Sequence, residues 1–172
     1  MTQSQGLYKA LDKSKKEIRL LEIVPSTDQS ARVELKMFTR DLNNAILDGF
    51  VPFSYAWGDD SPTDIIIVNG ESQQIRHNLA TLLRYAGEFL LPLLPQMRAY
   101  KGKMLFRADA ICINQDDVLE RNYHVSLMKD VYGSAQVVIC WLGVHENAHH
   151  HLESKTRKTI SNPRTKLFGS ST

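Results

Sequence analysis

Short apolar blocks of strand length follow one another over the first part of the chain. "IRLLEIVP" (18–25) and "ARVELKMF" (31–38) flank the polar turn "STDQS", a pattern that predicts an N-terminal β-hairpin. "FVPFSYAWGDDSP" (50–62) reads as a strand closed by Gly58 and a turn rich in Asp, Ser and Pro. "TDIIIVNGES" (63–72) supplies an Ile/Val run that ends in the turn pair Asn69-Gly70. From Asn78, read as an N-cap, the period becomes helical, with Leu79, Leu82, Leu83, Ala86 and Leu90 on one face. "PLLPQMRAYKGK" (92–103) reads as a loop, and "MLFRADAIC" after it as a strand. A second helix is predicted from about Asp117 to Tyr132, stopped by Gly133. "AQVVICWLG" (135–143) is a continuous apolar run, the pattern of a strand covered on both faces. Strands alternating with helices predict an α/β fold with a largely parallel sheet.

The polar, basic, Ser/Thr-rich stretch 144–172 lacks this periodicity and is expected to be disordered. The organisation is therefore a segment 1–17, a domain 18–143 and a tail 144–172. At 172 residues, 42% hydrophobic and 23% charged, the chain supports one folded core. Net charge is +2, yet residues 23–151 hold eleven Lys/Arg against fifteen Asp/Glu. The basic excess lies at the two ends, so the body lacks the stripe that nucleic acid requires. Cys112 and Cys140 lie in apolar runs without Cys-x-x-Cys spacing, which predicts buried, reduced thiols in the cytoplasm. The greasiest run, "FLLPLLPQM", is broken by Pro92 and Pro95 and is too short to span a membrane.

Two stretches could carry chemistry. Tyr55 and Trp57 alternate with Ser54 and Ala56 at the carboxyl end of a strand, where open α/β sheets take their ligands and a ring can stack on a base. The competing reading is core packing by two large aromatics. In "LFRADAICINQDDVLER" (105–121), Asp109 is placed within a strand, where a buried carboxylate needs a partner. Asn114 and Gln115 offer donors and acceptors in the loop, and Glu120 and Arg121 stand in the first helical turns. The alternative is a loop held by side-chain to backbone bonds with a surface Glu. His145 and His149 have i, i+4 spacing, but their polar tail gives no oriented support for a metal, and none is expected. Gly-rich phosphate loops, nucleophile elbows and H-E-x-x-H are absent from the sequence.

The order "IRLLEI", "SYAWG", "IIIVNG", "IRHNLATLLR", "ADAICINQDD" and "VYGSAQVVICWLG" resembles the HET domain of fungal heterokaryon-incompatibility proteins over about residues 18–143. The resemblance implies a Toll/interleukin-receptor-like α/β fold with a parallel sheet flanked by helices. It also implies a cytoplasmic role in nonself recognition that ends in regulated cell death. Relatives in that wider fold group include enzymes that cleave NAD+ at the nicotinamide bond with one glutamate. Kinship then makes NAD+ the candidate substrate, with no cofactor, and Glu120 the candidate catalytic carboxylate. Such a carboxylate would stabilise charge developing on the ribose. Tyr55, Trp57, Asp109, Asn114, Gln115 and Arg121 would form the substrate side. The motifs also fall on Ser54, Gly58, Cys112, Ile113, Met128, Tyr132, Ala135, Trp141, Leu142 and Gly143.

Two departures stand out. Arg107 occupies a position where the family usually has Trp, with Phe106 beside it as a partial replacement, and relatives generally continue well beyond "WLG". Besides the enzyme, a noncatalytic module that binds protein partners or itself, and an inert truncated relative, are therefore carried as expectations.

Overall fold

The structure, a computed structural model, describes residues 6–26, 28, 30–57, 63–93, 104–135 and 137–143. The expected turn after Trp57, most of the 92–103 loop, the tail and its histidines lie outside the described residues. The chain divides into Met1–Leu142 and Gly143–Thr172, and the fold below is that of the first unit.

β1 (Glu17–Val24) is buried on both faces: Ile18, Leu20 and Leu21 have no exposure and Arg19 only 2%. Such burial requires strands on both sides and cover above and below. β1 pairs antiparallel with β2 (Glu34–Asp41) along its length, from Glu17 opposite Asp41 to Val24 opposite Glu34. On its other side, Leu21 lies opposite Phe106 of β6 (Leu105–Arg107), again antiparallel. The remaining strands are β3 (Phe50–Tyr55), β4 (Thr63–Val68), β5 (Glu71–Arg76) and β7 (Ile139–Trp141), and the described sheet runs β5-β4-β2-β1-β6-β3-β7. β2 with β4, β3 with β6 and β3 with β7 are parallel. The other three neighbouring pairs are antiparallel.

The expectation of a largely parallel sheet is thus corrected to a mixed one. Antiparallel neighbours need only short connections, whereas parallel ones need a crossover. β4 and β5 show this most clearly, joined by Asn69 (φ 51°) and Gly70 (φ 84°), a two-residue turn with both residues in the left-handed region. Asn69 then does more than turn. Its Oδ1 accepts from the Met37 N–H at 2.8 Å and its Nδ2 donates to the Met37 carbonyl at 2.9 Å, so the side chain prolongs the β2–β4 pairing. Asn69→Ala should lose both bonds and the left-handed preference, at a cost of about 2 kcal/mol in urea denaturation.

Helices close both faces of the sheet. α1 (Leu42–Asp48), unread in the sequence, is capped by Asp41, whose Oδ1 accepts from the Asn44 N–H at 2.9 Å, and it buries Leu42 and Ala45. These pack with Ile18, Leu20, Phe50, Leu105 and with Leu127 and Val131 of the last helix. On the other face, α2 (His77–Tyr85) buries Leu79, Ala80, Leu82 and Leu83, as the helical period predicts. It continues through a wide π-type turn, Ala86–Leu90, into α3 (Leu91–Leu93). The expected N-cap is wrong: Arg76 takes that position, without a side-chain cap, and Asn78 is used elsewhere.

The strand predicted through "MLFRADAIC" stops at Arg107, and Asp109 opens the single turn α4 (Asp109–Cys112). α5 (Val118–Ser134) passes Gly133 by one residue and is capped by Asp117, which accepts from the Leu119 and Glu120 N–H groups at 2.9 and 3.0 Å. β7 is three residues long, with Ile139 and Trp141 half-buried and Cys140 between them exposed, so the expected cover on both faces is not found among the described residues. Cys140 is exposed, against the buried thiol expected, while Cys112 is buried. Among the described residues no helix is long and apolar enough to cross a membrane.

Candidate functional site

β6, β3 and β7 run parallel, with Pro52 beside Arg107 and Tyr55 beside Trp141, so their carboxyl ends lie together. Tyr55 is partly buried there, and burial followed by the charge of Asp109 pushes its hydroxyl far above its ordinary pKa. Trp57, just beyond the strand, is 46% exposed, with the Arg76 guanidinium 5.1 Å from its ring centre. Asn78 ties the two strand ends, donating from Nδ2 to the Ala56 carbonyl at 2.5 Å and accepting at Oδ1 from Trp141 Nε1 at 2.8 Å.

Beneath this rim is a buried charge cluster. Arg107, 2% exposed, places Nη2 2.9 Å from Asp109 Oδ1 and donates from Nη1 to the Arg19 carbonyl at 3.3 Å. The Tyr132 hydroxyl lies 3.1 Å from Asp109 Oδ2 and 3.3 Å from the Phe53 carbonyl, and its single proton serves one or the other. Burial and the Asp109 charge push Tyr132 up to about 12. Arg107 is therefore paired with the aspartate two residues on, but the match is incomplete, because Arg107 Nε and Asp109 Oδ1 are buried without a hydrogen-bond partner among the described residues.

Glu120 is held more tightly still. Its Oε1 accepts from Arg19 Nη1 at 2.5 Å and from the Asn114 N–H at 2.7 Å, and its Oε2 accepts from Arg19 Nη2 at 3.1 Å. Burial alone would raise its pKa, but the bonds from Arg19 and Asn114 with the Arg19 charge outweigh it, and the carboxyl lies below its ordinary range. Arg19 also donates to the Cys112 carbonyl at 3.0 Å and the Lys9 carbonyl at 2.6 Å, with the Tyr8 ring 5.0 Å away. One guanidinium thus binds the N-terminal segment, α4 and α5 to the central strand. Gln115 Nε2 donates to the carbonyls of Asp109 at 3.0 Å and Ile113 at 3.3 Å. Asn114 Oδ1 accepts from the Asp116 N–H at 3.2 Å.

Of the sequence candidates, Asp109, Asn114, Gln115 and Glu120 come together around the loop between α4 and α5. Tyr55 faces the same cluster through Asp109, and Trp57 lies on the rim. Arg121 is exposed on α5, its backbone N–H bonded to the Asp117 carbonyl at 2.9 Å. Arg19, Tyr8 and His124 were missed. Arg19 had a signal, a charge inside the apolar run "IRLLEI" on a strand whose neighbours are wholly buried. A carboxylate with both oxygens engaged by a guanidinium is a poor base or nucleophile as it stands, and a strong organiser of the loop it holds.

The family described as "Heterokaryon incompatibility protein (HET)" matches residues 50–171. A curated protein of Neurospora crassa, "Heterokaryon incompatibility protein 6, OR allele", is 30% identical over 142 residues, covering 78% of this chain and 20% of that protein. The chain thus spans a fifth of that relative's length. No solved structure matches.

Proposed function

We propose, from the premise that this chain belongs to the heterokaryon incompatibility (HET) family, that it acts in the cytoplasm in fungal nonself recognition and promotes regulated cell death. In this reading it works by contact with protein partners or further copies of itself. The observation that supports it is the state of Glu120: both oxygens are taken by Arg19 and the Asn114 N–H, and the side chain is 11% exposed. The carboxylate then serves to present the loop Ile113–Asp117 in one fixed shape. A fixed loop on a rigid scaffold is suited to recognition, because little ordering entropy is lost on binding.

A second reading is NAD+ cleavage with Glu120 as the carboxylate and Tyr55, Trp57, Asp109, Asn114, Gln115 and Arg121 on the substrate side. Its support is the parallel carboxyl ends of β3, β6 and β7, with Trp57 exposed beside them. It requires Glu120 to leave Arg19 when substrate enters.

Induced expression in a fungal host, with nicotinamide release from NAD+ measured on the purified chain, tests both. Growth arrest without nicotinamide release is the expected result. Release that falls by about a hundredfold or more in a folded Glu120→Gln variant would establish the second reading. Absence of growth arrest from a folded, expressed chain would overturn the role in cell death.

A further inference from the structure

His124 lies one turn after Glu120 on α5. It is 1% exposed, and neither ring nitrogen has a hydrogen-bond partner among the described residues. Its Nε2 stands 4.0 Å from Glu120 Oε1. The charged groups it faces are Arg107 on β6, Arg19 on β1 and Glu120 on its own helix, and the Tyr123 ring centre is 5.3 Å away. A neutral imidazole in this place leaves polar atoms unpaired, which an apolar side chain would avoid. A protonated one has a use, because both nitrogens then donate, and the carboxylate oxygen 4.0 Å from Nε2 is the one that holds the Asn114 N–H.

We propose that His124 is an acid-operated latch on the loop Ile113–Asp117: a proton taken from solvent lets its Nε2–H close on Glu120 Oε1, and that oxygen gives up the Asn114 N–H. The new positive charge also faces Arg19 and Arg107, which weakens the hold of Arg19 on Glu120. Burial, then the charge of Arg107, lowers the imidazole pKa from 6.5 to about 4, while Glu120 opposes the shift. A folded-state pKa below the unfolded one means that the neutral ring's contribution to stability is complete above pH 6.5. That contribution is lost as the pH falls through this window towards 4. Glu120, itself shifted below its ordinary range, stays ionised over most of that interval and is available to the imidazolium. The latch depends only on this geometry, so its failure would leave the proposed role in incompatibility untouched.

The test is amide hydrogen exchange on the full chain between pH 7 and 4.5, comparing Asn114 with the amides of the central strand β1. In the wild type the protection factor of Asn114 should fall by about tenfold per pH unit below the onset, while β1 stays protected. In His124→Phe the Asn114 protection should remain level. Equal loss in the variant, or loss only together with β1, would overturn the latch. Should the variant not fold, the imidazole resonances of wild-type His124 decide. Proton uptake with β1 still protected supports the proposal, and uptake only on global unfolding refutes it.

Discussion

Arg19→Met should lower the stability of the domain by about 3–5 kcal/mol at neutral pH, among the largest losses available to a single substitution here. The methionine fills much of the volume, so the loss is electrostatic. It strands the Glu120 carboxylate and frees the carbonyls of Lys9 and Cys112 from their donor. The pH dependence should identify the cause. In the wild type, Glu120 contributes above its ordinary pKa, and this is lost as pH falls through its depressed folded value. In the variant the stranded carboxyl protonates readily, so the gap between the two proteins should narrow at acid pH. Urea denaturation at pH 7 and pH 4.5 measures this, and a gap that does not narrow would show that lost packing dominates. Arg19→Met with Glu120→Leu should recover much of the loss, because a buried pair replaced on both sides leaves no orphan charge.

Phe106→Ala should cost about 3–5 kcal/mol by the different route of an unfilled cavity. The ring has no exposure and stacks on Phe53 with centroids 5.0 Å apart and planes at 27°. β6 is only three residues long and stands between β1 and β3, so this side chain supplies a large part of what holds the strand in place. Phe106→Leu should lose much less. Leu47→Ala, at a position 65% exposed on α1, should stay within about 0.5 kcal/mol of wild type in the same denaturation series. A Leu47 effect matching that of Phe106 would contradict the assigned core.

The pattern of apolar residues located most strands and the buried face of α2, because burial there follows the period of each element. It failed where two signals overlapped. Asp109 reads as part of a strand because its apolar neighbours run on without a break. The chain leaves the strand at Ala108, and a single helical turn has too few residues to show a period. α1 went unread because its seven residues carry only a short apolar stretch, although the Asp41 cap and Gly49 with φ 79° bracket it. β5, "ESQQIR", is polar at five of six positions and forms through its turn and its pairing with β4, not through hydrophobic alternation. At the candidate site, the loop residues Asn114 and Gln115 and the first-turn Glu120 of α5 are legible from their polarity. Arg19 lies about a hundred positions earlier, and nothing local in either segment announces that they meet.

That separation bears on how the protein is made. Arg19 is made before these two partners, and the Cys112 carbonyl and the Glu120 carboxylate follow it by 93 and 101 residues. At about 5–20 residues per second, the guanidinium waits roughly 5–20 s for its partners. During that interval β1 and β2 can pair, but β1 cannot take its central place without leaving a cation dry and unmatched. Burial of β1 is therefore tied to segments made well after it: β6, which lies beside it, and Glu120, which neutralises its arginine.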